Sequence, residues 1–235
     1  MASIQVVEQL PLRVQLRDEA TFENFYAKQD LEAVEQIQLA AKGEGEQSIY
    51  VSGQAGSGCS HLLQAACHEA QAIGLNSVYL PLDELVGYSP AVFESLEELP
   101  LIALDNLQAI AGDEQWEEAL FHMFNRVRDA GGRMIFAADK PLEDLNVKLP
   151  DLRSRLKWGL VYEFDDPDDE FKIGTLQLRG HNRGLEITAD VAKYVVRQVN
   201  GDMEQMFEVL QQLDNASLSA QRKLTRPFVK AVMDW

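Results

Sequence analysis

Gly53-Gln54-Ala55-Gly56-Ser57-Gly58-Cys59-Ser60-His61-Leu62 is the stretch whose reading decides the fold. It follows a short apolar run, Ser48-Ile49-Tyr50-Val51, and opens a helical stretch from Leu62 to Cys67. Strand, glycine-rich turn and helix are the context of a phosphate-binding loop with the pattern GxxxxGK[ST]. Small residues there let backbone N–H groups point inward around an anion, with a helix N-terminus behind it. Ser60 keeps the hydroxyl expected on Mg²⁺, but Cys59 stands where the pattern has lysine. A charge-assisted hydrogen bond is worth about 1.5–3 kcal/mol, so the exchange weakens binding without abolishing it. It hurts phosphoryl transfer more, because the lysine also offsets charge on the transferred group. The expectation is a nucleotide site without efficient intrinsic ATP hydrolysis, set against the blander reading of an ordinary glycine-rich turn.

Working outward from the loop, the apolar runs alternate with helical patterns. Asn76 to Leu82 reads as a strand, followed by helical pieces at Asp83–Val86 and Ala91–Leu96. Leu101-Ile102-Ala103-Leu104-Asp105-Asn106 is a buried strand ending in a carboxylate, the arrangement in which an Asp holds Mg²⁺. Ser60 and Asp105 are therefore the candidate metal ligands. Asn106 occupies the place of a second carboxylate and cannot take a proton at neutral pH, so no general base is offered there. Trp116 to Asp129 carries Leu120, Phe121, Phe124 and Val127 on one helical face and stops at Gly131-Gly132. Arg133 to Asp139 is a fourth strand. Ligands of parallel sheets gather at strand C-termini, which makes Asp139 a candidate reader of phosphate, or else a cap for the turn at Pro141.

Pro150 to Trp158 is the most basic patch, containing Arg153, Arg155 and Lys157. It is either a solvated helix face or a guanidinium presented to a phosphate, in the same chain or on a neighbouring subunit of a homo-oligomer. Gly159 to Phe164 is the fifth strand. Five strands with intervening helices predict an α/β module with a parallel sheet between helices. After the acidic hinge Asp165 to Glu170, four helical patterns predict a small all-α domain, with Thr188 and Asp202 as caps for two of its helices. The boundaries expected are an extended tail at 1–17, a nucleotide-binding domain at 18–165 and a helical domain at 166–235.

Upstream of the loop, Phe22, Phe25 and Tyr26 precede a helix with Leu31, Val34, Ile37 and Ala41 on one face, capped by Asp30. Phe25 and Tyr26 are candidates to line a base pocket, with core packing as the alternative. The tail contains Gln9-Leu10-Pro11-Leu12-Arg13-Val14, where Pro11 and the lack of helical periodicity predict an extended segment. Such a segment docks in another protein's groove or lies on its own domain.

The formal net charge is −17, from 38 acidic and 21 basic residues. That balance disfavours direct grip on nucleic acid, which needs clustered Lys and Arg, so any DNA association passes through a partner protein. Cys59 and Cys67 lie about 12 Å apart along one helix and cannot pair. No signal peptide or apolar run of membrane-spanning length is present, and a cytoplasmic setting without membrane contact is expected.

The order of these parts resembles an AAA+ module, and the details resemble one branch of it. Ser60-His61-Leu62-Leu63-Gln64-Ala65 and Leu156-Lys157-Trp158-Gly159-Leu160 are similar to segments of the bacterial replication initiator DnaA. Leu224 to Lys230 also resembles the DnaA-related family, while Gln9-Leu10-Pro11-Leu12 and the absence of a DNA-binding domain resemble its regulatory inactivators. The resemblance implies that Gln9 to Val14 binds the DNA polymerase sliding clamp and that Arg155 is an arginine finger offered in trans to ATP on DnaA. It implies that Gly53, Gln54, Ala55, Gly56, Ser57, Gly58, Cys59, Ser60 and His61 hold ADP as a structural cofactor. The implied function is clamp-dependent stimulation of ATP hydrolysis by DnaA, which prevents re-initiation; the alternatives are a helicase or clamp loader and a weak P-loop ATPase. The sequence departs from the family at Cys59 and at Glu204, which replaces the sensor 2 arginine. A diphosphate held mainly by backbone amides, without preference for a triphosphate, follows from the two missing cations.

Overall fold

A computed structural model describes residues 16–28, 30–220 and 224–235, with the side chains of 218–220 excepted. The expected clamp peptide, Gln9 to Val14, lies outside the described residues.

Five strands form one parallel sheet in the order β2-β3-β4-β1-β5: β1 (Ser48–Ser52), β2 (Ser77–Pro81), β3 (Leu101–Asp105), β4 (Arg133–Ala138) and β5 (Leu160–Glu163). Every residue of β1 and β3 is buried. Their unbroken apolar runs are what a parallel sheet covered on both faces demands. One face packs against α1 (Leu31–Ala41) and α2 (Cys59–Ala72), burying Ile37, Leu62, Leu63 and Ala66 with Ile49, Val51 and Ile135. The other face packs against α4 (Glu114–Asp129) and α5 (Pro150–Leu156), around Tyr50, Leu104, Phe124, Phe136 and Leu152. Asp113 caps α4 by accepting the Gln115 and Trp116 N–H groups, the role its residue type favours.

Three expectations change in detail. A single turn of helix, α3 (Leu82–Leu85), follows β2. The piece expected at Ala91–Leu96 is instead two 3₁₀ turns, Pro90–Phe93 and Leu96–Glu98, because Ser95 adopts a left-handed conformation at φ 64° and breaks the helix. Asp30 stands at the N-cap of α1, but its side chain makes no capping bond.

The C-terminal part is helical: α6 (Asp169–Asn182), α7 (Ala189–Gln198), α8 (Met203–Ala220) and α9 (Arg226–Met233). It has its own core of Leu176, Val195, Val196, Leu210, Leu213 and Val229. Caps at Thr188 and Asp202 begin α7 and α8, as the sequence predicts. Among the described residues no helix is long and apolar enough to cross a membrane.

Candidate functional site: the phosphate loop and its flanks

The loop leaves β1 at Ser52 and enters α2 at Cys59, with Gly58 at the N-cap. Gly53 donates its N–H to the Ala138 carbonyl at 3.2 Å, fixing the loop's start to the end of β4. Gln54 and Ala55 are exposed, whereas Ser57 and Cys59 are buried. Ser57 Oγ and Cys59 Sγ lie 3.4 Å apart. Burial pushes the Cys59 thiol up to about 12, with the Asp105 charge adding to it and the Ser57 contact opposing it. The residue at the lysine position is thus a neutral thiol at physiological pH. Ser60 is exposed at the first turn of α2.

The loop is closely packed on both flanks. Phe25 stacks beneath it, where a side chain on Gly58 would begin 2.5 Å from the ring. Met203, the first residue of α8, stands 2.9 Å from the corresponding point on Gly56. Phe25 belongs to the core beside His61 and Phe164, with ring centroids 5.9 and 6.4 Å away. Tyr26 packs instead on α6, against Gly174 and the Phe171 ring at 6.0 Å. Glu204 is exposed one residue beyond Met203.

His61 is a junction that sequence reasoning placed only as a loop neighbour. Its Nδ1 accepts from the Arg179 guanidinium at 2.9 Å, and its Nε2 donates to the Thr21 carbonyl at 2.7 Å. These partners fix the neutral tautomer with the proton on Nε2. Burial lowers its pKa to about 4, the Arg179 charge adding to the effect against the Thr21 bond. Arg179 itself is lowered to about 10 by burial, and it lies 3.8 Å over the Phe207 ring. Beside this junction Asp18, Glu19, Asn24, Arg179, Asn182 and Arg183 line a surface pocket that contains none of the loop residues. Its charges are internally matched, Glu19 pairing with Arg183 and Arg179.

At the end of β3, Asp105 is 2% exposed and both its oxygens are engaged. Oδ1 accepts the Asn106 N–H at 2.9 Å and Oδ2 accepts the Tyr79 hydroxyl at 2.5 Å. Asn106 donates to Asp83 at 2.8 Å and accepts from Gln108 at 3.2 Å. The Gln108 carbonyl in turn accepts the Asp139 N–H at 3.2 Å, while the half-exposed Asp139 carboxylate lies 3.7 Å from Lys140. Mg²⁺ needs carboxylate oxygens free to meet it or its waters in near-octahedral geometry. Each Asp105 oxygen already accepts one hydrogen bond, which leaves fewer acceptor sites for a metal or its waters.

The two arginines of α5 have different fates. Arg153 donates to the Leu145 and Val147 carbonyls at 2.9 and 3.1 Å and holds the preceding loop. Arg155 is half-exposed, and its guanidinium engages no other described residue. Trp158, 44% exposed, stands just beyond it. The loop before α5 is fixed by Glu117, a buried carboxylate on α4 that accepts N–H groups of Gly112, Lys148 and Leu149. Periodicity could not have found Glu117, since it sits among apolar positions of α4.

A parallel α/β sheet, a phosphate loop at the C-terminal edge of its strands and a helical lid define an AAA+ P-loop module. The chain belongs to the DnaA-related AAA+ family. The family model for the bacterial DnaA ATPase domain matches residues 16–163, and the model described as the Hda lid domain matches residues 169–233. Among solved structures, domain III of the Thermotoga maritima replication initiation protein DnaA is 21% identical with a TM-score of 0.73, covering 94% of this chain and 98% of that one. AMPPCP-bound DnaA from Aquifex aeolicus is 24% identical with a TM-score of 0.68, covering 87% and 71%. The Thermotoga maritima RuvB branch-migration motor is 16% identical with a TM-score of 0.62, covering 86% and 68%. These likenesses concern the fold.

Proposed function

We propose that this chain is a nucleotide-bound regulator of bacterial replication initiation that supplies an arginine to a partner's ATP. Together with the DNA-loaded sliding clamp, it stimulates ATP hydrolysis by DnaA and so prevents re-initiation. The observation that carries this reading is the division of labour on α5. Arg153 is consumed by backbone carbonyls, whereas Arg155 is left for an outside phosphate beside exposed Trp158. The Hda lid match supports the regulatory branch of the family.

In this reading the tail, residues 1–17, docks on the clamp through Gln9, Leu10, Pro11, Leu12, Arg13 and Val14. Residues 18–165 hold the nucleotide and 166–235 form the lid, and DNA is approached only through the partners. ADP or another nucleoside diphosphate sits on the Gly53–His61 loop, with Phe25, Tyr26, Asp105 and Asp139 around it. DnaA structures bound to AMPPCP support a nucleotide on this fold. Intrinsic hydrolysis is disfavoured by Cys59, Asn106 and Glu204, which withhold two cations and a base.

The test is ATP hydrolysis by purified DnaA with DNA-loaded clamp, in the presence of wild type or Arg155→Ala. Stimulation that vanishes in the variant is expected. Equal stimulation by both would remove Arg155 from its role. Clamp binding without any stimulation would favour a loader instead.

A further inference from the structure

Asp105, the carboxylate at the C-terminal end of β3, is held by a tyrosine. Tyr79 lies on β2 and Asp105 on β3, where the parallel register pairs Tyr79 with Ala103 and Pro81 with Asp105. Tyr79 and Asp105 are therefore diagonal neighbours on one face of the sheet, the face that α2 covers. The hydroxyl reaches Asp105 Oδ2 at 2.5 Å, and a hydrogen bond onto an ionised carboxylate is among the strong ones. Burial and the Asp105 charge both raise the Tyr79 pKa, so the hydroxyl keeps its proton and remains a donor. The second oxygen is held by the Asn106 N–H. Behind Tyr79, the buried Gln64 of α2 accepts the Arg17 N–H at 2.9 Å, fastening the helix over the pair.

The neighbouring polar side chains are bonded to one another. Asp83 accepts from Asn106, and Asn106 accepts from Gln108. Among the described residues no three His, Cys, Asp or Glu side chains come together as a metal cluster.

We propose that Tyr79 takes the place of a divalent metal as the partner of Asp105, and that the loop binds a nucleoside diphosphate without Mg²⁺. The inference rests on the nucleotide reading above. Two donated hydrogen bonds spread the Asp105 charge, so a metal-free diphosphate meets less repulsion. The ligand's own charge is met by the N–H groups of the loop and by the N-terminus of α2, a 14-residue helix. A third phosphate adds charge that neither Cys59 nor Glu204 answers. Diphosphate is therefore the form selected.

The test is calorimetry of ADP binding to the full chain in EDTA and in millimolar Mg²⁺, with Tyr79→Phe measured alongside. Wild type is expected to show dissociation constants within about twofold in the two buffers. Tyr79→Phe frees Oδ2, and its affinity is expected to rise at least about fivefold on adding Mg²⁺. Wild-type binding that requires Mg²⁺ would overturn the proposal and leave the nucleotide reading standing. Binding in neither buffer would overturn the nucleotide reading and this proposal with it. A Tyr79→Phe protein that folds, by its circular dichroism, and still ignores Mg²⁺ would remove Tyr79 from the role. The wild-type comparison decides the metal question even if the variant fails to fold.

Discussion

Arg179 donates to His61 Nδ1 at 2.9 Å, and this one bond joins a lid helix to the helix that opens behind the phosphate loop. The two residues come from α6 and α2, 118 positions apart in the chain. The bond exists only while the imidazole is neutral, because a protonated Nδ1 would face the guanidinium as a second donor and a like charge.

Acid should therefore loosen the protein at this point. Folded His61 titrates near 4, against about 6.5 in an unfolded chain. Between those values the unfolded state binds more protons, so the contribution is full above about pH 6.5 and is lost as pH falls toward 4. Its full size is on the order of 3 kcal/mol. From pH 7 to pH 5, wild type should lose about 2 kcal/mol more stability than His61→Gln in urea denaturation. Equal losses would show that the junction does not titrate.

Glu117→Ala should cost about 3 kcal/mol or more, because it removes a buried acceptor that holds the partly buried N–H groups of Gly112, Lys148 and Leu149. Glu117→Gln keeps a carbonyl acceptor and should cost less. Both are read by chemical denaturation, and stimulation of DnaA should fall in step, since the same loop carries α5 and Arg155. A Glu117→Ala protein as stable as wild type would contradict the burial argument.

The parts legible in the sequence were those encoded locally. The run Leu101 to Leu104 reads as a buried strand because both its faces are covered, and the loop reads from glycine spacing alone. The caps at Thr188 and Asp202 were legible for the same reason. The partners of the candidate site were not, because each depends on a register or a docking geometry. Tyr79 meets Asp105 only through the β2–β3 register, and Arg179 meets His61 only once the lid has packed. Arg153 and Arg155 look alike in sequence, and only the course of 145–149 separates the structural one from the available one.

Gly159→Ala should be among the most damaging single-methyl changes. Gly159 has φ +112°, and a Cβ there would stand 2.2 Å from the Ser48 carbonyl oxygen at the start of β1. The methyl meets both backbone strain and a rigid strand, so the link from α5 to β5 must move. Gly131→Ala provides the comparison, with φ +84° and no atom within 4 Å of its Cβ. It should cost about 1 kcal/mol, the strain alone, while Gly159→Ala costs about 3 kcal/mol or more. Similar melting temperatures for the two variants would refute the contact at Ser48.

Cys59→Lys restores the cation that the loop pattern calls for, at a position whose own thiol is neutral. The thiol is buried and raised to about 12, so at pH 7 it offers a phosphate neither charge nor a strong donor. A lysine leaving the same backbone position has its ammonium beyond the buried stem, over the loop where the distal phosphates of a nucleotide lie. One charge-assisted bond is worth about 1.5–3 kcal/mol, or a tenfold or greater gain in affinity. The gain should be larger for ATP than for ADP, since the extra phosphate is the one left unanswered in wild type. Calorimetry with both nucleotides reads the difference. If Cys59→Lys folds and binds ATP no better than wild type, the glycine-rich turn is not a phosphate cradle, and the nucleotide reading loses its main support.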